Sequence, residues 1–352
     1  MKENGNKITI QDIADSLGIS RNTVSKAINN TEGLADATRE KILQRAIEMG
    51  YKQFSYVSTL NQFGLLSAEE QKEPSFSGEI SLFTTAFLSN SHFASLFLDK
   101  FHQESAQLGF SLVIHRITEE DLRTKTLPRT FDPSKSKAIL CVEVFDLEYS
   151  SLITSIGLPV LFVDGPVRKK GEPLGADLIL MNNHTELLRF VNLMLERGLK
   201  RIGFIGDRNH CQSFYERYTA FRIAMLENQV PVEEQFLLCP RDEHPEEIAQ
   251  ALRNMNDYPD VFICANDFVA IEAMQVLAQK DRDLLSRVRF LGFDDSHESR
   301  IFYPALSTIH IHTQVMAFSA LHLLMSRIKE PSMDYRTIYA ATDLILRDST
   351  EF

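Results

Sequence analysis

The chain has 352 residues, 44% of them hydrophobic and 24% charged, and a formal net charge of -11. That length exceeds one small domain and predicts about two to three units. No apolar run approaches the ~20 residues of a membrane span, and the start Met1-Lys2-Glu3-Asn4-Gly5 has no secretory h-region, so a cytoplasmic protein without a membrane partner is expected.

Cys141, Cys211, Cys239 and Cys264 are scattered without CxxC or finger spacing and read as reduced thiols, with no structural metal. The acidity argues against nucleic acid only until the chain is divided. Residues 1–52 carry eight Lys/Arg against seven Asp/Glu, a net +1, which leaves -12 on the remainder. A near-neutral head should hold DNA weakly alone, so two heads are expected to act together in a dimer.

In chain order, Thr9 caps a short helix whose apolar face is Ile10, Ile13, Ala14 and Leu17, and Gly18 ends it. Ser20 caps the next helix, where Val24, Ala27 and Ile28 share one face. Arg21, Asn22, Ser25, Lys26 and Asn29 share the other, with no acid between Arg21 and Asn30. Two short capped helices joined by a Gly-containing turn make a helix-turn-helix, and the second helix presents its polar end to a major groove. A third amphipathic helix, Ala37 to Gly50, buries Ile42, Leu43, Ala46 and Ile47 and turns Arg39, Lys41 and Arg45 outward.

The runs Thr9–Ala14, Ser20–Asn29, Thr38–Leu43 and Met49-Gly50-Tyr51 closely resemble the headpiece of the lactose-repressor/galactose-repressor (LacI/GalR) family of transcriptional regulators. The resemblance implies a sequence-specific regulator bound to a near-palindromic double-stranded operator. Arg21, Asn22 and Lys26 would approach bases, and Ser20, Ser25, Asn29 and Thr38 would mainly hold phosphates. Thr9 and Tyr51 complete the DNA-binding set. After residues 1–54, the head, residues 55–77 read as a linker. In place of the family's usual Pro-Asn and Ala-Arg-x-Leu elements this chain has Gln53-Phe54 and Val57-Ser58-Thr59-Leu60. Leu60 keeps the spacing of a minor-groove wedge and equally suits plain linker packing.

From Glu79 strands and helices alternate. Strands are predicted at Glu79–Phe83, Phe110–His115, Ala138–Val142, Val160–Val163, Arg201–Gly206, Val261–Cys264 and Val288–Leu291. The helices between them include Phe93–Leu108, Glu186–Arg197, Tyr215–Glu227 and Ala270–Gln279. Such alternation implies parallel sheets covered on both faces, in two doubly wound α/β subdomains enclosing a ligand cleft. The runs Arg201–Gly206, Arg217–Phe221, Cys264–Ala270, Leu291–Asp295, Pro304–Ile309 and Leu344–Thr350 also resemble the family, whose cores are periplasmic-binding-protein-like. The implied core is 78–352. Its N-subdomain covers about 78–180 and 310–336, and its C-subdomain about 181–309 and 337–352. Residues 116–137 match poorly. Dimerisation is expected through the first core helix and the apolar helix Met316–Ile328.

Polar groups at the carboxyl ends of strands face such a cleft. Asp164, Asn266, Asp267 and Asp294 stand there by pattern, and Arg217 is expected to begin a helix after Gly206. Carboxylates, an amide and an arginine suit bonds to sugar hydroxyls. The resemblance aligns Asp164, Arg217, Asn266 and Asp294 with effector contacts, with Ser213 beside them; His92 and Phe93 stand where the family's cleft aromatics lie. Capping is the competing role for Asp267, Asp295 and Ser296, and an ion pair for Arg217. His310 and His312 lie two apart on a strand, but no third metal ligand is near. No GxSxG, Walker, HExxH or GxGxxG pattern occurs, so neither catalysis nor a cofactor is expected. The expected function is a cytoplasmic homodimeric repressor of carbohydrate genes, modulated by a small sugar-like effector. Control by a protein co-repressor over a vestigial cleft is the alternative, and an enzyme fused to a DNA-binding head is the remote one.

Overall fold

The structure, a computed structural model, describes residues 9–28, 38, 41–42, 45–46, 49, 78–86, 92–240 and 245–351. Asn29, Tyr51, Leu60 and the linker 55–77 lie outside them, as does the side chain of His92. Contacts divide the chain into two units, 1–75 and 76–352.

In the first unit, α1 (Ile10–Leu17) opens with a reciprocal capping box. Thr9 Oγ1 accepts from the Asp12 N–H at 3.3 Å, and the Asp12 carboxylate accepts from the Thr9 N–H at 2.7 Å. Gly18 ends the helix at φ 66°, a left-handed position where a Cβ would be strained. Two residues later Ser20 Oγ accepts from the Thr23 N–H at 3.1 Å and starts α2 (Arg21–Ile28). Ile13, Ala14, Val24, Ala27, Ile42 and Ala46 form the buried centre, the last two on a helical segment through Lys41 and Arg45. Burial of this small apolar set, at about 25 cal/mol per Å² of apolar surface, is what fixes the angle between α1 and α2.

The second unit holds two six-stranded sheets. The first has strand order β11-β5-β4-β3-β1-β2 and is parallel throughout. It comprises β1 (Gly78–Thr84), β2 (Phe110–Arg116), β3 (Ser136–Val142), β4 (Val160–Val163), β5 (Asp177–Met181) and β11 (Thr337–Ala340). The second has order β12-β10-β9-β8-β6-β7: β6 (Ile202–Ile205), β7 (Leu237–Leu238), β8 (Val261–Cys264), β9 (Arg289–Asp294), β10 (Ser307–Ile311) and β12 (Thr342–Ile345). Only β12 runs antiparallel to its neighbour. Both expected doubly wound α/β subdomains are therefore present.

Helices cover both faces of each sheet. α3 (His92–Gln107) and α12 (Thr313–Lys329) bury one face of the first sheet, and α4 (Glu119–Thr124) and α5 (Leu147–Thr154) lie on its other side. α6 (Thr185–Glu196) and α7 (Gln212–Glu227) cover one face of the second, and α8 (Pro245–Asn254) and α9 (Asp267–Lys280) the other, with short helices α10 (Leu284–Arg287) and α11 (His297–Ile301) beside them. The poorly matching 116–137 region is a capped α4 and a loop that lays Leu122, Leu127 and Phe131 against the sheet.

The chain crosses between sheets three times: after Met181, after Ile311 and at Ala341. The last crossing corrects the expected boundary at 337, because β11 pairs with β5 in the first sheet. On the expected dimer helix, Met316, Ala317, Ala320, Leu321, Leu323 and Leu324 of α12 are buried in the chain's own core, which leaves only its opposite face, with Val315 exposed and Phe318 and His322 half-buried, for a contact with a second copy.

Candidate functional site

On α2 the groups expected to read DNA stand outward: Arg21, Asn22 and Lys26 are exposed and Ser25 is partly so. Thr38 and Lys41 on the neighbouring helical segment are exposed as well. Thr9 and Ser20 are occupied as helix caps, which orients α1 and α2 and leaves their hydroxyls at the surface.

In the core, strand ends from both sheets converge. Asp164, Asp294 and Asp295 all hold left-handed backbone, φ 57°, 108° and 55°, immediately at or after the ends of β4 and β9. Asp tolerates that region better than most residues, and such strain tends to gather where side chains must be re-aimed.

Asp164 and Ser213 are brought together. Asp164 Oδ1 accepts from the Ser213 N–H at 3.1 Å and from the Gly165 N–H at 2.8 Å. Helix α7 has no side-chain cap of its own at Cys211. Its first orphan donors go instead to the opposite subdomain, Gln212 N–H to Gly165 O at 2.8 Å and Ser213 N–H to Asp164. Ser213 Oγ meets Met181 Sδ at 2.9 Å and is buried. Burial raises the Asp164 pKa, and bonds with Cys211, Gly165 and Ser213 oppose the rise.

Arg217 lies on the second turn of α7 rather than at a helix start, since α7 begins at Gln212. Arg217 is 2% exposed. Nε donates to Asn183 Oδ1 at 2.9 Å and Nη1 to Ala265 O at 2.6 Å. The plane lies 4.0 Å from the Phe293 ring centroid and 5.5 Å from that of Phe214. Asp294, next to Phe293, is partly exposed. Burial pushes its pKa up to about 7, with the Arg217 charge opposing and the Asp267 charge adding to the rise.

Asn266, not Asp267, caps α9, accepting from the Val269 N–H at 2.9 Å. Asp267 is wholly buried, taking the Thr308 hydroxyl at 2.6 Å and the Ser296 N–H at 2.8 Å. Burial lifts its pKa to about 6, against those two bonds. Ser296 caps α11 as expected. Asp295 instead binds Arg300, Arg347 and His310 Nδ1. Phe93 packs against the first core and stacks on Phe97 at 6.1 Å. His312 Nε2 sits 3.0 Å from Asp343, so each of the two histidines faces a carboxylate rather than a shared ligand.

Sequence reading missed Asn183, Phe214 and Phe293, and the pair Phe145–His210, whose rings meet at 4.9 Å across the two subdomains. Asn183 follows β5 as Asp164 follows β4, so the same strand-end rule applies once β5 is recognised.

Comparison with known proteins matches residues 9–53 to the family described as bacterial regulatory proteins, lacI family. Residues 191–350 match a periplasmic binding protein-like domain. The HTH-type transcriptional repressor PurR of Mannheimia succiniciproducens is 25% identical over 97% of this chain and 98% of its own length. The HTH-type transcriptional regulator GanR of Bacillus subtilis is 25% identical over 97% and 99%. Among solved structures, the CelR–cellobiose complex of a transcriptional regulator superposes with a TM-score of 0.66 at 20% identity, covering 97% of this chain and 99% of that one. The lac repressor dimer bound to operator and the anti-inducer ONPF gives 0.64 at 17%, covering 98% and 99%.

Proposed function

The chain belongs to the lacI family of bacterial regulatory proteins, and from that premise we propose a homodimeric repressor of carbohydrate-utilisation genes whose operator hold is modulated by a sugar-like solute. It is a DNA-binding transcriptional regulator and not an enzyme. Two copies of α2 would read half-sites of a near-palindromic operator, with Arg21, Asn22 and Lys26 toward bases. Exposed Leu96 on α3, Leu108 in the turn that follows it and Ile114 on the edge strand β2 would give the protomer an apolar strip for a second copy to cover. Phe268, Ile301 and Tyr303 supply exposed apolar surface on the other subdomain.

The observation that carries the effector half is Arg217 set beside Asp294 at the carboxyl end of β9, its guanidinium backed by the buried Phe293 ring. A carboxyl titrating near neutrality can accept from or donate to a hydroxyl, and the arginine adds fixed donors. The relative CelR is seen with cellobiose, in keeping with a saccharide here. Solute bound across the cleft would favour one angle between the subdomains, a coupling of about 1–3 kcal/mol to operator affinity.

The test is operator selection from random duplexes with the full chain, then release of that operator by solutes found in a thermal-shift panel of mono- and disaccharides and their phosphates. Arg217→Ala should keep operator binding and lose release. Release of the variant at the wild-type solute concentration would remove Arg217 from the site, and a monomer indifferent to every duplex would remove the whole reading.

A further inference from the structure

Asn183 sits in the first crossing between the sheets and is completely buried. Its amide works in two directions. Nδ2 donates to Glu216 Oε2 at 2.9 Å and to Met181 O at 3.1 Å, while Oδ1 accepts from Arg217 Nε at 2.9 Å. Glu216 and Arg217 are sequence neighbours on α7, both buried. The amide thus stands between an anion and a cation, and both its ends make charge-assisted bonds.

The same group reaches the third crossing. Glu216 Oε1 also accepts from Tyr339 OH at 3.2 Å and from Gln212 Nε2 at 3.1 Å, and Tyr339 lies on β11 just before that crossing. The two crossings are themselves joined, Asn182 N–H to Ala340 O at 2.7 Å and Thr342 Oγ1 to Asn182 O at 2.9 Å. On its far side Arg217 is held by Ala265 O and the Phe293 ring. A shift of the first crossing therefore re-aims Arg217, and a pull on Arg217 is felt at the crossing.

We infer that Asn183 is a positioning residue of the effector response: it sets the plane of the Arg217 guanidinium and ties that group to the hinge between the subdomains. The inference rests on the reading of Arg217 as an effector contact. A short amide supplies two donors, to Glu216 and Met181 O, and a separate acceptor for Arg217 at once. Asp keeps the acceptor but places a second carboxylate against Glu216, and Leu supplies neither partner.

The test uses the full-length, solute-free protein and needs no known effector. The ¹⁵N spectrum of the arginine Nε–H groups identifies Arg217 by the signal lost in Arg217→Lys, and hydrogen exchange follows the amides of Asn182 and Gln212. In Asn183→Leu the Arg217 signal should shift and exchange roughly tenfold faster or more, as loss of a charge-assisted bond allows. The amides of Asn182 and Gln212 should speed up with it, while β2 and β7 stay at wild-type rates. In Asn183→Asp the Arg217 signal should remain protected and only the crossing amides should speed up.

Identical behaviour of the two variants, wild-type exchange in either, or a uniform rise through the whole subdomain would overturn the inference. If Asn183→Leu does not fold, Asn183→Asp alone decides it. The effector reading fails separately, through solute release of the Arg217→Ala protein, whatever the Asn183 variants do.

Discussion

Replacing Asp294 by Asn tests the electrostatics of the cleft without changing its shape. In the folded chain the Asp294 pKa is raised from 3.8 to about 7, first by burial. A raised carboxyl pKa means the folded state holds a proton that the unfolded state has released, so the contribution to stability is present at low pH and is lost as pH rises through the folded pKa. From about pH 5 to the folded pKa is about two units, a ceiling of about 3 kcal/mol at about 1.4 kcal/mol per unit. Asp294 is partly exposed, so about 1–2 kcal/mol is expected. Asn cannot ionise and removes this slope, and the other titrating groups largely cancel in the comparison. Urea unfolding of both proteins at about pH 5 and pH 8 should show the Asn variant gaining about 1–2 kcal/mol on wild type at the higher pH. A flat or reversed difference would mean that the carboxyl is solvated and ordinary, and the account of the cleft as a desolvated polar site would fall.

Asn22→Ala should weaken preference at one operator position by about 1–3 kcal/mol, read by repeating the binding-site selection, and an unchanged consensus would contradict base contact by Asn22. Gly292→Ala places a Cβ 2.1 Å from Asp267 Oδ1 and 3.0 Å from Leu306 Cδ2, so urea melts should show a loss of about 1–3 kcal/mol; a neutral substitution would mean that Asp267 moves freely. Thr9→Ala removes the hydroxyl half of the α1 capping box and should cost about 1 kcal/mol, seen as roughly fivefold faster amide exchange in α1 with core exchange unchanged. Equal exchange in both proteins would show that the Asp12 carboxylate holds the helix start alone.

The head was readable because its signals are local. Thr9, Gly18 and Ser20 mark helix ends by their own chemistry, and the structure puts the ends there. β4 and β8 likewise fall where their apolar runs stand, Val160–Val163 and Val261–Cys264. What escaped depends on distant partners. β5 opens with Asp177, a charge that argues against a buried strand until Arg327 Nε reaches it at 2.9 Å and Arg336 Nη2 at 3.2 Å. β11 is four residues whose sheet is decided only by pairing with β5. α7 starts before its expected Tyr215 because its cap is Asp164, 49 residues before Ser213, which no local pattern can announce. Among the candidate groups, Asp294 stands at a strand end as expected, whereas Arg217 lies a turn inside its helix, Asn266 takes the cap expected of Asp267, and Asp267 is buried. Their order around the first turn of α9 is set by Thr308 and Ser296 from other elements.

A helix start that is completed by the opposite subdomain changes how the molecule yields. Parting the halves along Asp164 and Gly165 strips Gln212 and Ser213 of their acceptors together. Until water arrives those amides are bare, so the motion begins with a threshold and not with a gradual slackening. A clasp of this kind behaves as a detent, holding one angle firmly until the push exceeds a set amount.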